Sequence, residues 1–498
     1  MPKGPMIGFA VAAAAGLACF LLLLFMPAGR LAQVPSGVPL ITDNGADQAA
    51  DRDVWMNASL RDKKIGYSHL VLKKKDNGFT LEETLSIRFT LLGASRPLKM
   101  KTTASLLPDM TLSTFDFVIY SGLFRFSAKG RAAGPRTLSV TTASGAASSG
   151  TGVTHEITLE KPPVLGSSML FAVGAKKNLR IGDRFSFFIF DPATMGKAPV
   201  IVEVTGKEKL FNMGIDVDTT KLTIDFKGMK ETAWIDDTGA VIKETGMMGL
   251  SLERTSRDDA LVDVPPGAGP DMAQMASIPS NIVISDPAAA RRLVVEISGI
   301  DTGRLALCGG RQAFVGNRLT VALEDTQNLP EIHKISDRNI FGPYLVPDPY
   351  VQSNNPKIVS LAKTLVDPKK SLYENSRALW KWVNENIAKR PVISVPDALS
   401  TLENRVGDCN EHAALVCALA RAAGIPAKIE TGLVYMRGRF YYHAWNSLYV
   451  GKWITADAAL GQFPADVTHL RLITGSLENQ LDYAGIIGRI RLSVKIVQ

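Results

Sequence analysis

The sequence predicts an α+β multidomain chain: an N-terminal transmembrane helix, a β-rich antiparallel domain, and a C-terminal α+β domain. Three observations carry that prediction. Residues 6–27 are an uncharged run rich in Ala, Leu and Phe. Residues 54–259 read as strand after strand with turn signals between them. Later segments switch to helical spacing and then to two further strands. At 498 residues the chain has room for two or three domains of roughly 100–200 residues each.

The apolar run comes first. About 20 apolar residues cross the hydrocarbon core as a helix, and residues 6–27 reach that length. A cleaved leader has a shorter apolar core and a small-residue cleavage site; Ala28-Gly29 and Leu31-Ala32 are poor candidates for one. A lipid-anchor reading at Cys19 is weaker because Phe20 to Phe25 continue the run. Lys3 and the terminal amine favour a cytoplasmic N-terminus. The expectation is a signal-anchor over residues 1–30, leaving the bulk extracytoplasmic, periplasmic or extracellular, with the membrane as a partner.

Residues 54–259 form the antiparallel β domain. Phe79 to Phe89 and Arg136 to Thr142 alternate, and Asp76-Asn77-Gly78 and Asp237-Thr238-Gly239 are turn signals. Short strands joined by turns make an antiparallel sheet, open or curled. The small polar residues of 143–152 read as a loop. Residues 260–290, with Val264-Pro265-Pro266-Gly267, read as a linker, and 291–340 as a small β segment. The C-terminal domain is expected over 345–498. There, Leu372, Leu379, Trp382, Val383 and Ile387 fall at helical spacing and are expected to face the core.

Composition excludes several classes. Apolar residues at 46% and charged residues at 21% describe a globular protein. The net charge of +8 is spread out, and the Lys73-Lys74-Lys75 run has no interleaved aromatics, so no nucleic-acid partner is expected. Of the four cysteines, Cys308, Cys409 and Cys417 lie beyond the apolar run, an odd set without metal-ligand spacing. No cofactor or metal is expected.

Cys409 is the informative thiol. It lies in Gly407-Asp408-Cys409-Asn410-Glu411-His412-Ala413, at the start of an Ala-rich helix that stops at Gly424. Asp408 suits the N-cap. Cys409 then sits in the first turn, where free amides and the helix dipole favour an anionic sulfur and can hold an oxyanion. Asp408 opposes that thiolate by its own charge, so an imidazolium must balance it. His412 is a near neighbour on the same helix. His443, in Tyr442-His443-Ala444-Trp445, is the better base because a strand fixes it and Asp457 can orient it. Register decides whether Asp457 reaches. A two-residue Gly451-Lys452 loop puts His443 and Asp457 on opposite faces. A three-residue Val450-Gly451-Lys452 loop puts Asp457 opposite Trp445, one diagonal step of about 7–8 Å from His443. The triad therefore requires an odd loop or a bulge. His469 reads as structural.

These motifs, with Ala420-Arg421-Ala422-Ala423-Gly424-Ile425-Pro426-Ala427 and Trp453-Ile454-Thr455-Ala456-Asp457, resemble the transglutaminase-like superfamily over about residues 345–475. That resemblance implies a papain-related fold, with Cys409 as nucleophile, His443 as base and then acid, and Asp457 as orienter. Ala458-Ala459 depart from the family's Pro-Thr. Lys64-Ile65-Gly66-Tyr67 and residues 233–239 resemble exported half-barrel domains of the lipoprotein-carrier type. The expected function is thiol-dependent acyl transfer on amides, ending in hydrolysis of peptide, protein or cell-envelope substrates. Protein cross-linking and a non-catalytic binding module are the alternatives.

Overall fold

The computed structural model describes residues 51–498 except 92, 123, 146–151, 194, 227–228, 268, 391–396 and 476–485. The chain divides into two compact units between Met272 and Ala273, within the stretch read as a linker. In the first unit the described residues form one fourteen-stranded antiparallel sheet, from Val153–Thr158 at one edge to Arg184–Asp191 at the other. Most neighbours are consecutive hairpins, such as Lys63–Lys75 with Gly78–Leu91 across Asp76-Asn77. The first strand, Arg52–Leu60, pairs with the last, Leu250–Thr255. Alternation is strict where one face is dry, with Val54, Met56, Ala58 and Leu60 all buried.

The sheet curls into a half-barrel. Glu83 and Glu244 stand four strand spacings apart in the sheet order, about 19 Å if flat. Both nonetheless line one apolar cavity of about 180 Å³ with Met100, Phe117, Met169 and Glu231. Met169 comes from the Gly166–Gly174 helix. Its approach is fixed by Leu112 N–H donating to the Pro163 carbonyl and by Val164 bridging Ile189.

The second unit holds the helices. Its core is the Cys409–Ala422 helix, buried from Cys409 through Ala420, with Pro356–Leu365, Leu372–Asn386 and Ala398–Asn404 packed on it. Alanines at 413, 414, 418 and 420 let neighbours approach on all sides. One sheet orders Ile278–Pro279, Arg439–Tyr449, Ala427–Met436 and Leu470–Thr474, with Trp453–Ala456 also on Arg439–Tyr449. A second sheet joins Gln312–Val315, Arg318–Ala322 and Arg292–Ser298 to Arg491–Val497, so the 291–325 segment is part of this unit.

Two expectations need correction. The fold class is β-rich, with 48% strand against 18% helix in the described residues, and its transmembrane element is withdrawn. Among the described residues no helix is long and apolar enough to cross a membrane. The longest of these helices, 15 residues, spans about 22 Å against a core of about 30 Å and is polar on one face. Residues 1–50, on which the signal-anchor was placed, lie outside the described residues. The membrane-anchored, extracytoplasmic localisation rested on that helix and is withdrawn with it. Trp382 packs against the core as expected, half-buried, with the Arg405 guanidinium 4.6 Å from its ring centre.

The cavity carboxyls give the first unit a pH dependence. Burial, then the charge of Glu244, pushes Glu231 up to about 8. Burial, then Glu83, pushes Glu244 up to about 7. Between about pH 4.5 and pH 8 the folded unit keeps protons that the unfolded chain has released. Stability is therefore full below the unfolded value and is lost as pH rises through the folded values. Calorimetry of the whole chain should find the first unit's transition falling from pH 5 to pH 8, and Glu231→Gln should flatten that fall.

Candidate active site

The site begins with the cap of the central helix. Asp408 takes the Asn410 amide at 3.0 Å, and Glu411 reaches back to the Asp408 amide at 2.9 Å. This capping box fixes the first turn and hence Cys409. The facing strand, Arg439–Tyr449, has a gap along one edge. Ile278–Pro279 pairs with Arg439 and Phe440, and Trp453–Ala456 pairs with residues 446–449. Within the gap, Ala444 N–H donates to Cys409 Sγ at 3.2 Å. Asn446 Nδ2 donates to the Ala413 carbonyl at 2.9 Å, tying strand to helix.

The loop is the odd one. Tyr449 pairs with Trp453 and Asn446 with Ala456, leaving Val450-Gly451-Lys452 as three loop residues. Gly451 takes φ 102°, in the region that favours glycine. With this register His443 Nε2 donates to Asp457 Oδ2 at 2.6 Å. The other ring nitrogen, Nδ1, has no hydrogen-bond partner. The structure thus brings Cys409, His443 and Asp457 to one place, with 0%, 2% and 1% of their surfaces exposed.

His412 is used otherwise. Its Nδ1 donates to the Asp408 carbonyl at 2.6 Å, and burial holds its pKa below the usual value, so it is a neutral helix residue. Three groups were not legible in the sequence as parts of the site. His469 Nε2 donates to the same Asp457 Oδ2 at 3.1 Å, and its Nδ1 to Asp466 Oδ1 at 3.2 Å. Arg311, paired with Glu324, donates to the carbonyls of Ala465, Asp466 and His469. Glu324 in turn accepts from the Thr455 amide and hydroxyl. A single buried Arg 150 residues upstream carries no local motif. His469 had a weak signal in its flanking Asp466 and Thr468.

Electrostatics divide the site. Burial pushes the Cys409 thiol well above its ordinary value, and the Asp408 charge adds to that. The helix terminus, worth about 0.3–1 kcal/mol, does not overcome the desolvation of a buried anion, so the expected anionic sulfur is not the resting form. Burial acts the other way on Asp457, but the His443 and His469 imidazoles outweigh it and hold the carboxyl well below the usual range. His469 is raised to about 9, against its burial, by its bonds to Asp457 and Asp466. Its two carboxylates therefore flank a cation. His443 Nε2, Asp457 Oδ2 and His469 Nε2 lie within 4.8 Å of one another. A separation of 2.6 Å is a shared proton, since tetrahedral zinc ligands at about 2.0 Å stand about 3.3 Å apart.

Residues 359–458 match the transglutaminase-like superfamily. The transglutaminase-like segment contains Cys409, His443 and Asp457 and stops short of His469. No curated protein matches the sequence. Solved structures similar in part include a candidate cysteine protease from Cytophaga hutchinsonii, 19% identical over 42% of this chain and 90% of its own, TM-score 0.28. A β-barrel-like protein of a domain of unknown function from Brucella abortus is 12% identical over 41% of this chain and 95% of its own, TM-score 0.31. A candidate protease from Parabacteroides distasonis is 11% identical over 72% of this chain and 67% of its own, TM-score 0.21.

Arg311 and Glu324 are 5% and 6% exposed, so removing one strands the other's charge. Arg311→Ala should cost the second unit about 3–5 kcal/mol in chemical unfolding. The double change Arg311→Met, Glu324→Gln should recover part of that loss.

Proposed function

We propose that the transglutaminase-like segment catalyses thiol-dependent acyl transfer on amide bonds and releases the acyl group to water. The observation that carries this reading is His443, bonded through Nε2 to Asp457, with Nδ1 unengaged next to the residue whose amide binds Cys409 Sγ. The thiol rests protonated, so the reaction starts with His443 Nδ1 taking its proton as sulfur attacks the amide carbonyl. Asp457 holds the ring and stabilises the imidazolium. The capping box leaves the Cys409 amide unused at the positive end of the helix, a donor for the oxyanion. The C–N bond breaks as His443 returns the proton to the leaving amine, and a thioester remains. Water, deprotonated by His443, attacks the thioester, giving a carboxylic acid and the free thiol.

Peptides or proteins are the proposed substrates, since the reaction needs an amide carbonyl and no second acceptor site. An amine in place of water would make the same thioester a cross-link. Incubating the chain with a peptide library, with and without added primary amine, separates the outcomes by mass. Products gaining one water are expected, whereas amine incorporation without hydrolysis would reassign the acceptor. Cys409→Ala and His443→Ala should each lose about 10³-fold or more. Turnover that survives Cys409→Ala would overturn the reading.

A further inference from the structure

We infer that His469 is a positioning residue for this site: a second imidazole that clamps Asp457 in the orientation that presents Oδ2 to His443. The inference rests on the triad reading and adds to it a group outside the transglutaminase-like segment.

Both ring nitrogens of His469 face carboxylate oxygens, Nε2 on Asp457 and Nδ1 on Asp466. An imidazole can donate from both only when protonated. Asp466 is itself held, accepting from the Thr468 amide and hydroxyl and from Gln462 Nε2. The ring stands edge-on to Trp445 at 5.1 Å, and its backbone carbonyl accepts from Arg311. Full burial leaves it no room to turn. The other Asp457 oxygen, Oδ1, takes the Leu460 amide at 2.9 Å. Three donors therefore fix the carboxylate, and His443 meets an acceptor that cannot rotate away.

The clamp also acts by charge. The groups facing His469 are Asp457, Asp466, the His443 ring at 5.7 Å and Arg311, while Lys389 interacts by charge with Asp457. A cation sharing Asp457 weakens the pull of that carboxylate on a proton at His443. A purely structural latch between Asp457 and Asp466 would hold the 457–469 loop without altering the pH dependence of the thiol's reactivity.

The test uses the full chain with Cys19→Ser, Cys308→Ser and Cys417→Ala, so that Cys409 is the one thiol left of the four. The rate of iodoacetamide labelling at Cys409 is followed against pH by intact-protein mass. His469→Gln keeps a donor for Asp457 and loses the charge. It should move the acid limb of the profile up by about one pH unit, with the fold intact by circular dichroism. An unmoved limb would overturn the inference. Nitrogen-15 NMR of the unsubstituted chain is the second measurement and needs no variant to fold. Protons on both His469 nitrogens at pH 7 are expected, and a neutral ring there overturns the clamp. Loss of amide turnover in Cys409→Ala together with an unmoved limb sinks the clamp alone. Turnover surviving Cys409→Ala sinks the reading on which it rests.

Discussion

The arrangement depends on one carboxylate oxygen, Asp457 Oδ2, accepting from two imidazoles in a buried site. An anion buried this deeply is costly unless paired and hydrogen-bonded, and the surrounding architecture supplies those partners. The odd loop at 450–452 delivers Asp457 to the side of His443. Gly432, paired opposite His443, lies so close to the Leu470 carbonyl that a Cβ would stand 1.9 Å away. Only glycine allows the Leu470–Thr474 strand that approach, and this strand begins directly after His469. Arg311 then secures the loop between Asp457 and His469 by its carbonyls.

This arrangement sets the protonation of the thiol. Cys409 sits at a helix start, yet desolvation and the charge of Asp408 dominate the helix terminus. A neutral thiol beside an orienting imidazole–carboxylate pair needs a base with an unengaged nitrogen, and Nδ1 of His443 has no other partner. The half-barrel unit solves a different problem. Its buried glutamates, raised by burial and by neighbouring carboxylates, keep their protons instead, so two acidic clusters in one chain respond oppositely to pH.

Local chemistry was legible in the sequence. Asp408 declared the N-cap, and strand parity made the triad conditional on an odd loop, the register found in the sheet. The strand-and-turn rhythm of 54–259 declared an antiparallel sheet. What the sequence hid is non-local. Glu83 and Glu244 read as polar strand residues until curling brings them to one cavity, and Arg311 meets the site through a fold-level contact. His469 was read as structural because nothing in its own segment pointed to Asp457. The apolar N-terminal run has the composition of a spanning helix, but no helix among the described residues has that length and apolarity.

The central claim is that Asp457 fixes His443 with the proton on Nε2 and leaves Nδ1 open for the thiol. Side-chain nitrogen-15 NMR of the full chain measures this directly, with His443 assigned by its loss in His443→Gln. The account expects a neutral His443 protonated at Nε2 and a mixture of tautomers in Asp457→Ala. A proton on Nδ1, or a tautomer indifferent to Asp457→Ala, would contradict it.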